Sequence, residues 1–291
     1  MRLIRVPCPA KINLTLKVLG KRADGYHELE TVMQSVSLLD VLHISDTPGT
    51  LEVGCTHPLV PVGEENLVYK AAKMMRERYA PAAGASIQIE KNIPLAAGLA
   101  GGSSDAAGTI RGLNHLWGLN LTPQEMEETA SLVGSDVTFC LRGGTALARG
   151  RGELISPLPR LTGLWLVLVK PPLEVSTGAV YQAYRPGDSE NRRDTRRMLE
   201  AVASNNLNMI AENLFNDLEL VTRAWYPEIE AIKQELREYG ARGVLMSGSG
   251  PTVFGVVDGP ERARSLAELF RDRYPESYAV YGLPPLEAGE I

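Results

Sequence analysis

Between Pro94 and Gly108 the chain reads Pro-Leu-Ala-Ala-Gly-Leu-Ala-Gly-Gly-Ser-Ser-Asp-Ala-Ala-Gly, with glycines at 98, 101, 102 and 108 and hydroxyls at Ser103 and Ser104. A glycine-rich turn that feeds a helix leaves backbone N–H groups without intrahelical acceptors, and the helix dipole adds partial positive charge. That combination binds anions, phosphate above all. Glycine is needed where a side chain would hold the phosphate off the backbone. Taken alone, a turn followed by a Ser-capped helix explains the same residues. No Gly-Lys-Ser/Thr follows the glycines, so this is not a Walker A loop, and the G-x-G-x-x-G spacing of a dinucleotide fold is missing.

Three other places carry reactive side chains. Residues Lys11 to Val18 alternate, with Ile12, Leu14, Leu16 and Val18 on one face and Lys11, Asn13, Thr15 and Lys17 on the other. The polar face is either solvated or a Lys and an Asn placed side by side to grip a phosphate or hydroxyl. Asp24-Gly25 signals a turn, which puts Tyr26 and His27 on a rim. A surface histidine is the ordinary reading there, and a ligand contact the sharper one. Ser135-Asp136-Val137 follows Gly134 directly, and Asp136 by itself reads as a turn or capping residue.

These groups need elements to position them. Strands are expected over Lys11–Val18, Thr31–Leu39, Val41–Ile44 and Ala85–Glu90, and a helix over Glu64–Tyr79 with an inner stripe of Leu67, Ala71, Met74 and Met75. Thr122-Pro-Gln-Glu125 is a capping box with Pro at the first helical position, and its helix should stop at Gly134. Arg142–Gly152 is glycine-rich, a hairpin or loop. The prolines at 157 and 159 mark a boundary, which divides the chain into expected domains 1–158 and 159–291. Beyond it come a strand (Leu164–Val169), helices (Val175–Tyr184, Thr195–Ala203), a loop across Arg185–Arg197, a helix (Pro227–Tyr239), strands (Val244–Ser247, Thr252–Val257), a helix (Arg262–Tyr274) and a strand (Ser277–Tyr281). That order predicts helices layered on one antiparallel sheet, a ferredoxin-like arrangement.

Composition narrows the class. The 291 residues are 44% hydrophobic and 22% charged, as in a globular protein, and the net charge of −5 disfavours a general nucleic-acid binder. Cys8, Cys55 and Cys140 form no C-x-x-C pair and no zinc spacing; they read as reduced core residues. No apolar run has signal-peptide length or approaches the ~20 residues of a membrane span. The expectation is a cytoplasmic protein, a monomer or homodimer, with a small-molecule partner and neither nucleic acid nor membrane.

The loop Pro94-Leu-Ala-Ala-Gly-Leu-Ala-Gly-Gly-Ser-Ser-Asp resembles the phosphate loop of the GHMP kinases, Pro9-Ala-Lys-Ile-Asn-Leu14 their first motif, and Met246-Ser-Gly-Ser-Gly-Pro-Thr252 their third. Arg22-Ala-Asp-Gly-Tyr-His-Glu, Gly134-Ser-Asp-Val-Thr-Phe, Arg149-Gly-Arg-Gly-Glu and Asn213-Leu-Phe-Asn-Asp-Leu-Glu are similar to the branch whose alcohol substrate carries a cytidine diphosphate group. The resemblance covers nearly the whole chain. It implies an α+β, two-domain GHMP kinase fold: an N-terminal domain like domain 2 of ribosomal protein S5, a C-terminal ferredoxin-like domain, and a site between them. Ala96 and Ala97 depart from the glycines of many relatives.

The same resemblance implies the roles. Lys11 and Asp136 correspond to the catalytic pair, and Asn13 to a residue that orients substrate. Tyr26 and Tyr181, with Tyr184 as its neighbour, correspond to a clamp on the cytosine, His27 to a reader of its edge, and Thr177 to a substrate contact. ATP falls to Asn66 and Lys91 near the adenine and to Pro94, Leu95, Ala96, Ala97, Gly98, Leu99, Ala100, Gly101, Gly102, Ser103 and Ser104 around the phosphates. Mg²⁺ comes with the phosphates, with Ser104 the side chain nearest it. Lys11 would offset developing charge and favour ionised Asp136, which takes the hydroxyl proton. A GHMP kinase for mevalonate or homoserine is the first alternative, disfavoured because those alcohols offer no base for Tyr26 and His27. A non-catalytic S5-like RNA-binding module, or a decayed relative that only binds nucleotide, is disfavoured by the acidic balance and by the intact Lys11, Asp136 and glycine-loop set.

Overall fold

The protein is seen here as a computed structural model that describes residues 2–185 and 194–286. Most of the loop expected across 185–197 therefore lies outside the described residues.

The chain opens with a long antiparallel hairpin, β1 (Leu3–Lys21) and β2 (His27–Thr47), followed by β3 (Leu51–Cys55), α1 (Leu67–Tyr79), β4 (Gly84–Glu90), α2 (Gly101–Leu116), α3 (Pro123–Val133), α4 (Ser135–Arg142) and the hairpin β5 (Thr145–Gly150) and β6 (Leu154–Pro157). The second half runs β7 (Trp165–Lys170), α5 (Thr177–Ala183), α6 (Thr195–Ala203), α7 (Leu207–Glu212), β8 (Phe215–Asn216), α8 (Glu219–Trp225), α9 (Glu228–Glu238), β9 (Gly243–Met246), β10 (Val253–Val257), α10 (Pro260–Arg271) and β11 (Glu276–Tyr281).

The strands make two sheets. A seven-stranded sheet has the order β3-β4-β2-β1-β8, with β5 on β2 and β6 on β5, and a four-stranded sheet has the order β11-β7-β10-β9. All three pairings of the second sheet are antiparallel. Helices α9 and α10 cover one of its faces through Ile229, Ile232, Leu236, Leu266 and Phe270. Its other face, with Leu166, Leu168 and Phe254, shares a core with Ala10, Ile12 and Leu14 of β1 and with Met198 and Val202 of α6. The four strands of the expected ferredoxin-like sheet are found, together with three elements not expected, α7, β8 and α8, of which β8 joins the first sheet.

Two features bring the functional residues together. Helix α2 lies close on the first hairpin because its inner face is glycine: a Cβ at Gly108 would stand 2.3 Å from Cys8 Sγ, and one at Gly112 2.5 Å from Ile44 Cδ1. The helix is also tied down, as Ser104 Oγ donates to Pro9 O at 2.7 Å and Arg111 to Pro7 O at 2.6 Å. Strand β1 in turn shifts register against β2 between Pro9 and Ala10 and again between Asn13 and Thr15. Bulges of this kind re-aim side chains, and Lys11 and Asn13 lie between the two. Their face is not solvated: Lys11, Asn13 and Thr15 are 4%, 3% and 0% exposed.

Several elements differ from expectation. Strand β2 runs unbroken through Asp40, because Asp40 pairs with Cys8 in the hairpin and Lys91 meets its charge. The helix expected from Glu64 begins at Leu67, since Asn66 is its cap and accepts from Val68 N at 2.8 Å. Asp136 belongs to the first turn of a helix, α4, which starts directly after the extended backbone of Gly134. Cys8, Cys55 and Cys140 are free thiols, two of them buried.

Candidate active site

A cleft of about 900 Å³ is lined by every residue from Pro94 to Ser103, by Lys11, Asn13 and Asp136, and by Tyr26, His27, Thr177 and Tyr181. Residues from distant parts of the sequence thus meet in one concavity of ligand size.

The glycine loop forms its floor. Gly98 has φ +75, and Ala96 and Ala100 adopt φ +48 and +57, the left-handed backbone that glycine favours. Ala100 brings the chain into α2 with no side-chain cap and no acidic residue in the first helical turn. The leading N–H groups of α2 are therefore left for a ligand, and its dipole favours an anion there. Ser103 lines the cleft. Ser104 does not: it is fully buried and its hydroxyl is engaged with Pro9. The expected contact of Ser104 with phosphate or metal is thus not made by this side chain as it stands.

At one end of the loop stands Lys11. Its ammonium donates to Asn13 Oδ1 at 2.8 Å and to the Gly98 carbonyl at 3.4 Å, and it lies 3.4 Å from Asp136 Oδ2. Asn13 cannot turn over, because its Nδ2 donates to Thr31 Oγ1 at 2.8 Å, and Thr31 in turn donates to Thr15 O at 2.5 Å. Lys11 is almost wholly buried, whereas the Asp136 side chain keeps 35% exposure. The carboxylate is the open member of the pair, facing the cleft beside a fixed cation.

Beyond this pair lie the rings. Tyr26 tops the turn between β1 and β2, where Asp24 Oδ1 accepts from its N–H at 3.1 Å, and it is 54% exposed. The Arg151 guanidinium sits 5.0 Å from its ring centroid, a cation–π contact on that face. His27 stacks on Tyr181, centroids 5.2 Å apart at 27°. Burial, with help from Lys21, pulls the His27 pKa below its ordinary value, so its imidazole is neutral at pH 7. Thr177 Oγ1 lies 2.8 Å from Ser249 Oγ. Tyr184 points inward, 3% exposed, with its hydroxyl on Asp217. Of the two tyrosines, Tyr181 is the one that presents its ring to the cleft's aromatic group.

Asn66 and Lys91 are structurally committed. Asn66 caps α1 and donates to Pro61 O at 2.5 Å. Lys91 reaches the cleft wall, but its ammonium is held by Asp40 and, at 2.8 Å, by Asp105. Asp40 further accepts from the backbone of Asn92 and Ile93 at 2.6 and 2.8 Å. This buried triad lies under the first residue of α2, since a Cβ at Gly101 would come within 2.8 Å of Lys91 Nζ. Burial pushes the Asp105 carboxyl up to about 7, with Lys91 opposing and Asp40 adding to the rise. An acid raised in the folded state keeps its proton where the unfolded chain has lost it, so its contribution to stability falls as pH climbs between about 4 and 7. Relative to Asp105→Asn, the wild-type protein should therefore gain stability as pH is lowered through that window. Urea unfolding of both proteins at several pH values checks it, and parallel curves would count against it.

Sequence reasoning gave no role to three residues that line the cleft, Thr31, Arg151 and Ser249, although Arg151 lies in Arg149-Gly-Arg-Gly-Glu and Ser249 in the Met246–Thr252 motif.

Among the described residues no group of three or more His, Cys, Asp or Glu side chains is placed to hold a metal. No described helix is long and apolar enough to cross a membrane.

Known proteins resemble this chain along nearly its whole length. Residues 66–144 match the GHMP kinases N terminal domain and residues 198–276 the GHMP kinases C terminal domain. A 4-diphosphocytidyl-2-C-methyl-D-erythritol kinase of Syntrophomonas wolfei is 49% identical over 279 residues, 96% of this chain and 98% of its own. The kinase of that name from Caldanaerobacter subterraneus is 51% identical over 272 residues, 94% of each chain. A crystal structure of a 4-(cytidine 5'-diphospho)-2C-methyl-D-erythritol kinase superposes with a TM-score of 0.82 at 37% identity, over 96% of this chain and all of its own.

Proposed function

The chain belongs to the GHMP kinase family, and on that premise we propose that it transfers the γ-phosphoryl group of ATP to the 2-hydroxyl of 4-diphosphocytidyl-2-C-methyl-D-erythritol. The products are the 2-phosphate and ADP, in the non-mevalonate route to isopentenyl diphosphate. The observation that carries this reading is the Lys11–Asp136 pair, 3.4 Å apart, between a glycine loop built for phosphate and a group of rings built for a base. The nucleotide loop lies in the part taken as residues 1–158, and the 247–251 loop in the part taken as 159–291.

Phosphoryl transfer depends on alignment and on offsetting charge over the transferring oxygens. The N-terminal N–H groups of α2 and the loop backbone hold the ATP phosphates. Asp136 accepts a hydrogen bond from the substrate 2-hydroxyl, lines up its oxygen with the γ-phosphorus, and takes the proton as the O–P bond forms and the bond to the ADP oxygen breaks. Lys11, held by Asn13 and Gly98, offsets charge on the transferred group. Mg²⁺, when bound with ATP, would supply charge neutralisation to the phosphates. On the protein side Ser103, which lines the cleft at the start of α2, would hold it together with the phosphates.

The cytosine takes the place that His27 fills on Tyr181, with Tyr26 closing the other face. The neutral imidazole, one nitrogen donating and one accepting, then meets the edge of the base. Tyr26→Ala and Tyr181→Ala should each raise KM for the cytidyl substrate by about 10- to 100-fold and change kcat far less, since stacking on a base is worth about 1–3 kcal/mol. Steady-state kinetics checks this, and an effect confined to kcat would remove the clamp. The reaction itself is tested by following phosphorus by NMR. One new phosphomonoester per ADP is expected, and ADP without ester would mean hydrolysis only.

A further inference from the structure

The stretch Asn213-Leu-Phe-Asn-Asp-Leu-Glu219 has no part in the chemistry above. It forms β8 and leads into α8, and Asn216 within it pairs with Leu16 of β1, the strand that carries Lys11 and Asn13. Asn216 is 4% exposed with its amide fully used. Its Nδ2 donates to the carbonyls of Met246 at 2.8 Å and Gly248 at 2.7 Å, and its Oδ1 accepts from Leu218 N at 3.0 Å. Two neighbours on α8 hold the same loop. Glu219 accepts from Met246 N at 2.9 Å while Lys233 meets its other oxygen, and Thr222 Oγ1 donates to Ser249 O at 3.1 Å.

The loop held in this way is pressed against the phosphate loop. Ser247 Oγ donates to the Gly98 carbonyl at 3.0 Å, the carbonyl that Lys11 also reaches. A Cβ at Gly98 would lie 2.2 Å from Ser247 O, and one at Gly248 would lie 3.2 Å from Gly98 O and 3.5 Å from Asn13 Oδ1. No slack separates the two loops, so the place of residues 246–249 sets the place of Gly98.

We propose that Asn216 is a positioning residue for phosphoryl transfer: by holding the Met246 and Gly248 carbonyls it fixes the loop that sets Gly98 and, through Gly98, the Lys11 ammonium. A primary amide suits the task because it offers two N–H donors and one acceptor in a plane. The inference rests on the kinase reading above, and Asn216 touches neither ATP nor acceptor.

Asn216→Asp is the test. It keeps the acceptor for Leu218 N but turns a carboxylate oxygen toward two carbonyl oxygens. We expect ATP affinity by calorimetry to fall about tenfold and kcat about 100-fold, the scale of a small displacement in a reacting site. KM for the cytidyl substrate should stay within about twofold. The activity ratio of variant to wild type should rise as pH falls, because a protonated carboxyl regains one donor. A purely structural role would lower the melting temperature and leave kcat, ATP affinity and that ratio unchanged, which would overturn the proposal. If Asn216→Asp does not fold, Thr222→Val carries the test. It removes the hydroxyl that meets Ser249 O and, within its own helix, Leu218 O, and a weaker ATP affinity supports the proposal while an unaltered one overturns it. Absence of turnover in the wild type would reject the kinase reading instead, and the ATP affinities would still decide on Asn216.

Discussion

Asp136→Asn should bind ATP as the wild type does and turn over about 10³-fold more slowly, within the range that a positioned base contributes. The amide keeps the size of the carboxylate, so α4 and the cleft wall stay in place. What it loses is the group that takes the proton from the 2-hydroxyl, together with the negative partner 3.4 Å from Lys11. Loss of kcat and of kcat/KM in equal measure is the pattern of an interaction made in the transition state. Calorimetry with ATP and single-turnover phosphate transfer separate binding from chemistry. A variant that turns over at close to the wild-type rate would remove Asp136 from the reaction.

The second large effect belongs to Gly98→Ala. The backbone there is at φ +75, and an alanine in the left-handed region costs about 1–2 kcal/mol. Its Cβ would also lie 2.2 Å from the Ser247 carbonyl oxygen and 3.1 Å from the Gly250 backbone, and forcing such a contact costs about 1–3 kcal/mol more. Stability should drop by about 2–5 kcal/mol in all, with ATP affinity reduced at least tenfold as the loop backs away from Lys11. Gly102→Ala is the matched contrast. Its Cβ meets nothing nearer than Leu67 Cδ1 at 3.9 Å, inside a helix. That variant should fold normally and lose ATP affinity only because a methyl group stands at the phosphate cradle. Urea midpoints and ATP titrations of the two variants give the comparison. Equal stability of both would mean that the contact of Gly98 with the Ser247–Gly250 loop is not as tight as drawn.

Much of this was readable in the sequence because it is written in local patterns. The alternation of Lys11–Val18, the capping box at Thr122 and the run of glycines from 98 to 102 each follow from neighbours a few residues apart. The four strands of the second sheet and the two helices that cover it were legible for the same reason, whereas α7, β8 and α8 were not. What could not be read depends on partners far along the chain. The polar face of β1 looks solvated until Thr31, Gly98 and Asp136 close over it. Asp136 reads as a turn residue because Gly134 ends one helix, and nothing local says that another starts at Ser135. Ser104 looks like a phosphate ligand by its place in the motif, yet the close seat of α2 on β1, permitted by Gly108 and Gly112, turns its hydroxyl to Pro9. Asn216 carries no chemistry of its own, and its importance appears only when Met246 and Gly248 are seen 2.8 and 2.7 Å away.

The measurement that tests the account most directly is phosphate transfer from Mg·ATP to 4-diphosphocytidyl-2-C-methyl-D-erythritol, with mevalonate and homoserine as parallel acceptors. The site described here, with Tyr26, His27 and Tyr181 beside the Lys11–Asp136 pair, predicts turnover with the cytidyl substrate alone. Turnover with mevalonate or homoserine, and none with the cytidyl compound, would keep the kinase fold and contradict the assignment of the rings to a cytosine.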